Sequence, residues 1–148
     1  MNASQEGMGD KSSSSTSVRK SKGALENLIE LAGRVLLAAI FLLSGVGKLG
    51  AYSATAAYMS SAGVPGALLP AVIATEVMGS LGIMLGWKTR TVAVLLAGFS
   101  LLSAIFFHRN FADQEQMINF LKDVSIAGGF LLLVANGAGS LSIDRHYS

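Results

Sequence analysis

The 148-residue chain has no cysteine, only two prolines, one tryptophan and two histidines, and just 14% of it is charged. Soluble domains carry roughly 25% charged residues. A chain this poor in charge cannot cover its surface with polar groups, so an ordinary soluble domain is excluded. The lack of cysteine excludes disulfides, thiol redox chemistry, thiolate zinc sites and iron–sulfur clusters. No H-E-x-x-H, phosphate loop or G-x-S-x-G is present, so there is no self-contained catalytic motif, and no metal site is expected. The net charge is only +2. That is too small for a nucleic-acid surface, and no nucleic-acid partner is expected. What the chain does have is apolar residues, at 51%, and 17 glycines. Its mean hydropathy is +0.54.

The apolar residues are concentrated in four runs, at about Leu28–Gly47, Ala67–Gly86, Thr91–Phe107 and Ile118–Ala138. At 1.5 Å per residue, about 17 to 21 residues suffice to cross a hydrocarbon core of roughly 30 Å. The runs do not alternate as barrel strands do, so each predicts a helix. The expected fold is all-α: a polytopic membrane protein with a four-transmembrane-helix bundle over residues 24–148. Residues 1–23 differ in composition, because Lys11-Ser12-Ser13-Ser14-Ser15-Thr16-Ser17 offers nothing to a core. They read as a disordered Ser-rich cytoplasmic tail. The basic lead Arg19, Lys20 and Lys22 resembles the start of a signal peptide. The polar lead is long and no clear A-x-A-like site follows, so the first run reads as an uncleaved helix.

Basic residues near the ends of the runs set the orientation. Lys11, Arg19, Lys20, Lys22, Lys88, Arg90 and Arg145 fall on one side; Lys48 and Arg109 fall on the other. The excess predicts that both termini are cytoplasmic. His108 then lies outside and His146 inside, so they cannot jointly ligate one haem. The turn Trp87-Lys88-Thr89-Arg90 is short enough to make the second and third helices antiparallel neighbours. The longer stretch after Lys48, with Tyr52 and Tyr58, suits a short interfacial helix.

Ionisable residues inside a membrane are costly and mark sites. Glu76 is the sharpest, about ten residues from either end of the second run. It is a candidate for carrying a proton or holding a polar ligand, against the plainer reading of a hydrogen bond across the bundle. Gly79, Gly82 and Gly86 beside it allow close helix packing, or room for a flat ligand. Glu30 and Arg34, at i and i+4, read as a structural ion pair. Lys48, His108, Lys122 and Asp123 all fall at the outer ends of their helices. They predict a polar vestibule with Glu76 at its floor, and with Glu76 they form the candidate ligand-binding or proton-carrying set.

Taken together, Arg34-x6-Phe41-x3-Gly45-x2-Lys48-Leu49, Gly63-Val64-Pro65, Glu76-x2-Gly79-x2-Gly82-x3-Gly86, Thr89-Arg90 and His108 form an ordered pattern. The run Met117–Gly129 and the closing Gly137-x-Gly139-Ser140-Leu141-Ser142-Ile143-Asp144 extend it to residues 28–147. In this order the pieces resemble the DoxX family of small bacterial inner-membrane proteins. The resemblance implies a multi-pass inner-membrane location. Because DoxX relatives include a subunit linked to thiosulfate:quinone oxidoreduction and others associated with oxidative-stress defence, it also implies a quinone or redox association. Two functions from different classes follow. One is a quinone-associated accessory subunit, with quinone as its ligand and electrons supplied by a membrane-associated redox partner protein. The other is a non-catalytic scaffold that binds a partner protein or lipid. A small-solute carrier is a third reading, and it would call for a homo-oligomer.

Overall fold

A computed structural model describes residues 11–147, with side chains from Gly23 onward. Five helices make up its regular α structure: α1 (Lys11–Gly50), α2 (Tyr52–Ser61), α3 (Leu69–Leu85), α4 (Thr89–Phe107) and α5 (Gln114–Asn136). Two single 3-10 turns, Gly66–Leu68 and Asp144–His146, complete it. Four stretches are long and apolar enough to span a membrane: 23–50, 66–85, 89–107 and 114–136. The chain is thus a four-helix membrane bundle, with the short helix α2 in the loop after the first span. Helical backbone reaches back to Lys11, so the expected boundary at residue 23 is not a helix end. The disorder expected for 1–23 lies outside the described residues, or on residues whose side chains are not described.

Local chemistry accounts for the helix limits. Pro70 sits in the first turn of α3, where its missing N–H costs little. Gly86 ends α3 with φ 70°, and the Trp87 N–H donates to the Gly82 carbonyl at 2.9 Å, which satisfies an orphan carbonyl. Asp113 caps α5 by accepting from the Glu115 N–H at 2.9 Å.

α1 packs chiefly on α3, and α4 chiefly on α5; α3 against α4 joins the two halves, while α1 meets α5 only sparsely. The shared core is made of Ala38, Phe41, Ile83, Leu96, Ala97 and Phe130, among others. Phe41 lies against Phe130 at 5.4 Å and against Phe99 at 6.2 Å between ring centroids, so one α1 side chain ties together α4 and α5. Small residues permit the close crossings. A Cβ on Gly45 would come within 2.8 Å of Val77 and 3.1 Å of the Glu76 Cβ, and one on Gly79 within 2.9 Å of Leu96. The outer faces are apolar: Leu36, Leu43, Leu95 and Leu132 are all exposed, as a lipid-facing belt requires.

Candidate functional site

The end of the bundle that carries the α3–α4 turn is closed by polar contacts. Arg34 on α1 is only 1% exposed. Its guanidinium donates to the Ile83 carbonyl at the end of α3, at 3.4 Å, and to the Leu141 carbonyl. The Ile143 and Asp144 N–H groups donate to the carbonyls of Leu85 and Gly86. The Asp144 carboxylate accepts from the N–H groups of Lys88 and Thr89 at 2.6 and 2.8 Å, and so caps α4 from 55 residues away. Burial pushes the Asp144 carboxyl up, but hydrogen bonds from Thr89 and Lys88 and the charge of Arg34 outweigh this and hold it below its usual range. Among the described residues Glu30 and Arg34 make no contact ion pair. Arg34 donates to the Ile83 and Leu141 carbonyls instead, while its Nε is buried without a partner among the described residues, and Glu30, beside Gly139, acts on it only as a nearby charge. The pair expected from i,i+4 spacing is corrected accordingly: the helix brings the two residues near, but the carbonyls of Ile83 and Leu141 take two of the guanidinium's donors.

The opposite end is open. A cavity of about 580 Å³ lies beneath α2 and between the two halves of the bundle. Ligand sites run from about 300 to 1,000 Å³. Phe41, Phe99, Phe106, Phe107 and Tyr58 provide aromatic wall, and Tyr58 on α2 stacks on Phe107 of α4 at 5.5 Å. Lys48, Glu76, His108 and Asp123 all line it. Four of the five residues expected to meet in a polar vestibule thus line one cavity, although its wall is mostly apolar.

Within it the charges are paired. The Lys48 ammonium donates to both Glu76 oxygens at 2.8 Å and also to the Ser44 hydroxyl. The Ser44 hydroxyl in turn donates to Glu76 Oε1 at 3.3 Å. The Glu76 side chain is 5% exposed. The absence of a side chain at Gly45 lets α3 approach closely enough for this contact, so the small residue and the ion pair are parts of one crossing. Across the cavity lining, His108 Nδ1 lies 3.0 Å from the Gln116 side-chain carbonyl. His108 Nε2 lies 3.8 Å from Asp123 Oδ2, too far for a hydrogen bond.

Two expectations need correction. Lys122 is exposed on the outer face of α5, one residue away from the face that Asp123 turns to the cavity, and does not line it. It borders a shallow groove with Ile118, Leu121, Ser125 and Ile126. The glycines after Glu76 make no room for a flat ligand: Gly79 meets Leu96, Gly82 meets Val92, and Gly86 lies beside Arg34 and Ser142. Sequence reasoning missed Gln116 and the Phe41, Phe99 and Phe107 walls. Lys48 and Glu76 each stand out in the sequence as polar residues in or beside apolar runs, but nothing in the spacing of His108 and Gln116 announces their contact.

The model of the DoxX family matches residues 29–109. The chain is 46% identical over 121 residues to inner membrane protein YqjF of Escherichia coli (strain K12), spanning 82% of this chain and 93% of that one. It is 39% identical over 130 residues to inner membrane protein YphA of the same organism, spanning 83% of this chain and 93% of that one. No solved structure matches it significantly. Arg34, Lys48, Glu76 and His108 all fall inside the matched segment, and the chain that carries them belongs to the DoxX family.

Proposed function

We propose that this protein is an integral inner-membrane ligand-binding subunit that holds a lipophilic quinone-type molecule in the cavity under α2 and serves a membrane-associated oxidoreductase. The observation that carries this reading is the cavity itself: about 580 Å³, walled by aromatic rings, with charged groups confined to two clusters. That is the anatomy of a site for a flat apolar ring with a polar edge. The chain supplies no cysteine to hold an electron-transfer cluster, so electrons would come from the partner enzyme. The names of the relatives support the inner-membrane location. The basic residues support cytoplasmic termini.

The test is purification of the full-length protein in mild detergent, followed by mass spectrometry of its extracted lipids. Ser103 lines the cavity without a part in either charged cluster, so Ser103→Trp fills the space. We expect quinone or hydroquinone with the wild type, and at least a tenfold loss from a Ser103→Trp protein that melts normally. A wild type that retains neither overturns the reading. The alternative is a scaffold. Gly33, Gly98 and Gly128 have nothing within 4 Å of where a Cβ would stand, leaving small-residue faces free for another helix. A stoichiometric membrane partner that co-purifies without any ligand favours it.

A further inference from the structure

The cavity reaches the lipid face of the bundle between α1 and α5. These helices touch where Gly129 meets Leu37: a Cβ on Gly129 would stand 3.2 Å from the Leu37 side chain. Three residues nearer the α2 end come Ile40 on α1 and Ile126 on α5, and both line the cavity. Ile40 shares a helical stripe with Leu36 and Leu43, at i, i+4 and i+7. Leu36 and Leu43 are 75% and 74% exposed, and Ile40 is 49% exposed, while the adjacent Phe41 is buried in the core. Ile40 therefore belongs to the lipid-facing side of α1 and still borders the cavity. Beyond the Leu37–Gly129 contact α1 and α5 leave a gap, in keeping with their sparse packing.

A second feature starts at the same gap. Ile126 also forms the edge of the shallow groove on α5, with Ile118, Leu121, Lys122 and Ser125. Those four lie on one stripe, at i, i+3, i+4 and i+7, and all are exposed. Lys122 lays its apolar stem along the groove, and its length lets the ammonium reach the membrane surface. One side chain, Ile126, thus joins the cavity inside the bundle to the groove outside it.

The consequence for the ligand rests on the cavity being the ligand site. A cavity of about 580 Å³ takes one drug-sized molecule, so a ring that carries a long chain cannot be housed whole. The chain has to leave by an opening. At the α2 end it would meet water and lose its hydrocarbon surroundings. Between α1 and α5 it stays in the bilayer. We propose that the ligand is a ring with a hydrocarbon tail, taken from the bilayer, whose tail leaves the cavity between Ile40 and Ile126 and lies in the α5 groove. The groove supplies shape more than affinity, since lipid chains are as apolar as its walls. The informative measurement is therefore where the tail lies. Leu102 of α4 is exposed and also lines the cavity, but it has no part in the groove, so it marks the rival exit.

The experiment is photolabelling of the full-length protein in lipid nanodiscs with a decyl-substituted benzoquinone that carries a diazirine midway along its chain, with labelled residues mapped by mass spectrometry. Label is expected on Ile118, Leu121 or Ser125. It should fall about tenfold when a roughly tenfold excess of the same quinone without the diazirine competes at saturation. It should also be lost from Ser103→Trp, in which the ring has no room; if that variant does not assemble, the competition decides alone. Label on α5 that neither competitor nor Ser103→Trp reduces is ordinary lipid contact and overturns the proposal. Competed label on Leu102 or Leu68 overturns it by moving the tail to the α3–α4 side, and competed label on α2 overturns it by turning the tail toward water. Binding of the decyl quinone itself is measured by equilibrium dialysis against empty nanodiscs. If it does not bind, the cavity reading fails, a result distinct from a tail found elsewhere.

Discussion

At the residue scale the decisive feature is that Glu76 is buried with its charge matched by Lys48. A lone carboxylate at that depth has no hydration to stabilise it, whereas here it accepts three hydrogen bonds and the pair has no net charge. Removing one partner is therefore worse than removing both. Lys48→Met should cost about 3–5 kcal/mol, because it strands a buried charge. Glu76→Gln keeps the shape and one acceptor, and should cost about 1.5–3 kcal/mol. The double variant Lys48→Met with Glu76→Gln should recover much of the loss. Thermal melting of the four proteins in one detergent gives the coupling as a double-mutant cycle. Additive losses would show that the contact contributes nothing. The sequence made Glu76 stand out because a carboxylate amid apolar residues is rare there. It could not single out Lys48 as the partner, since that pairing joins positions 28 residues apart on different helices. Nor could it separate Asp123 from Lys122: both are polar at adjacent positions, and only the rotation of α5 turns one inward.

At the scale of elements, the four spans were legible because length and hydropathy alone decide what crosses a bilayer. The short helix α2 and the tight turn between α3 and α4 were legible for similar reasons of loop length and composition. The capping of α4 was not. Lys88, which precedes it, has φ 46°, a left-handed conformation unusual outside glycine, and its own side chain caps nothing. The cap comes from Asp144, whose relation to Lys88 exists only once the bundle has formed. Asp144→Asn should destabilise the protein by about 1 kcal/mol at neutral pH, the usual value of a cap. The pH dependence has a definite sign. The folded carboxyl is held below its ordinary value of 3.8, so its contribution is complete above that value and is lost as pH falls through the lower folded value. Melting curves of wild type and Asp144→Asn should therefore converge as the solution is taken below about pH 4. A gap that persists in strong acid would remove the carboxylate from the explanation.

For the whole molecule, the even number of spans puts both ends of the described chain on the same side as the α3–α4 turn. With Lys88, Arg90 and Arg145 on that side, it should be the cytoplasm. A periplasm-dependent phosphatase fused to the C-terminus should be inactive, and one inserted at Gly63, between α2 and α3, should be active. The reverse pattern would invert the topology and place the mouth of the cavity inside. The two ends of the bundle differ in more than sidedness. Arg34 and Asp144 bind the halves together at one end, while at the other a cavity lies between them, spanned by the Tyr58–Phe107 stack. Mechanically this is a peg with a fixed hinge and a free jaw. An opening of this jaw on ligand binding would enlarge the cross-section of the protein in one leaflet and leave it unchanged in the other, so occupancy of the cavity would be coupled to the lateral pressure of that leaflet alone. In asymmetric vesicles, affinity for a quinone-type ligand should shift when cone-shaped lipids are added on the α2 side and stay constant when they are added on the Arg34 side. The membrane would then act on this protein as a one-sided spring.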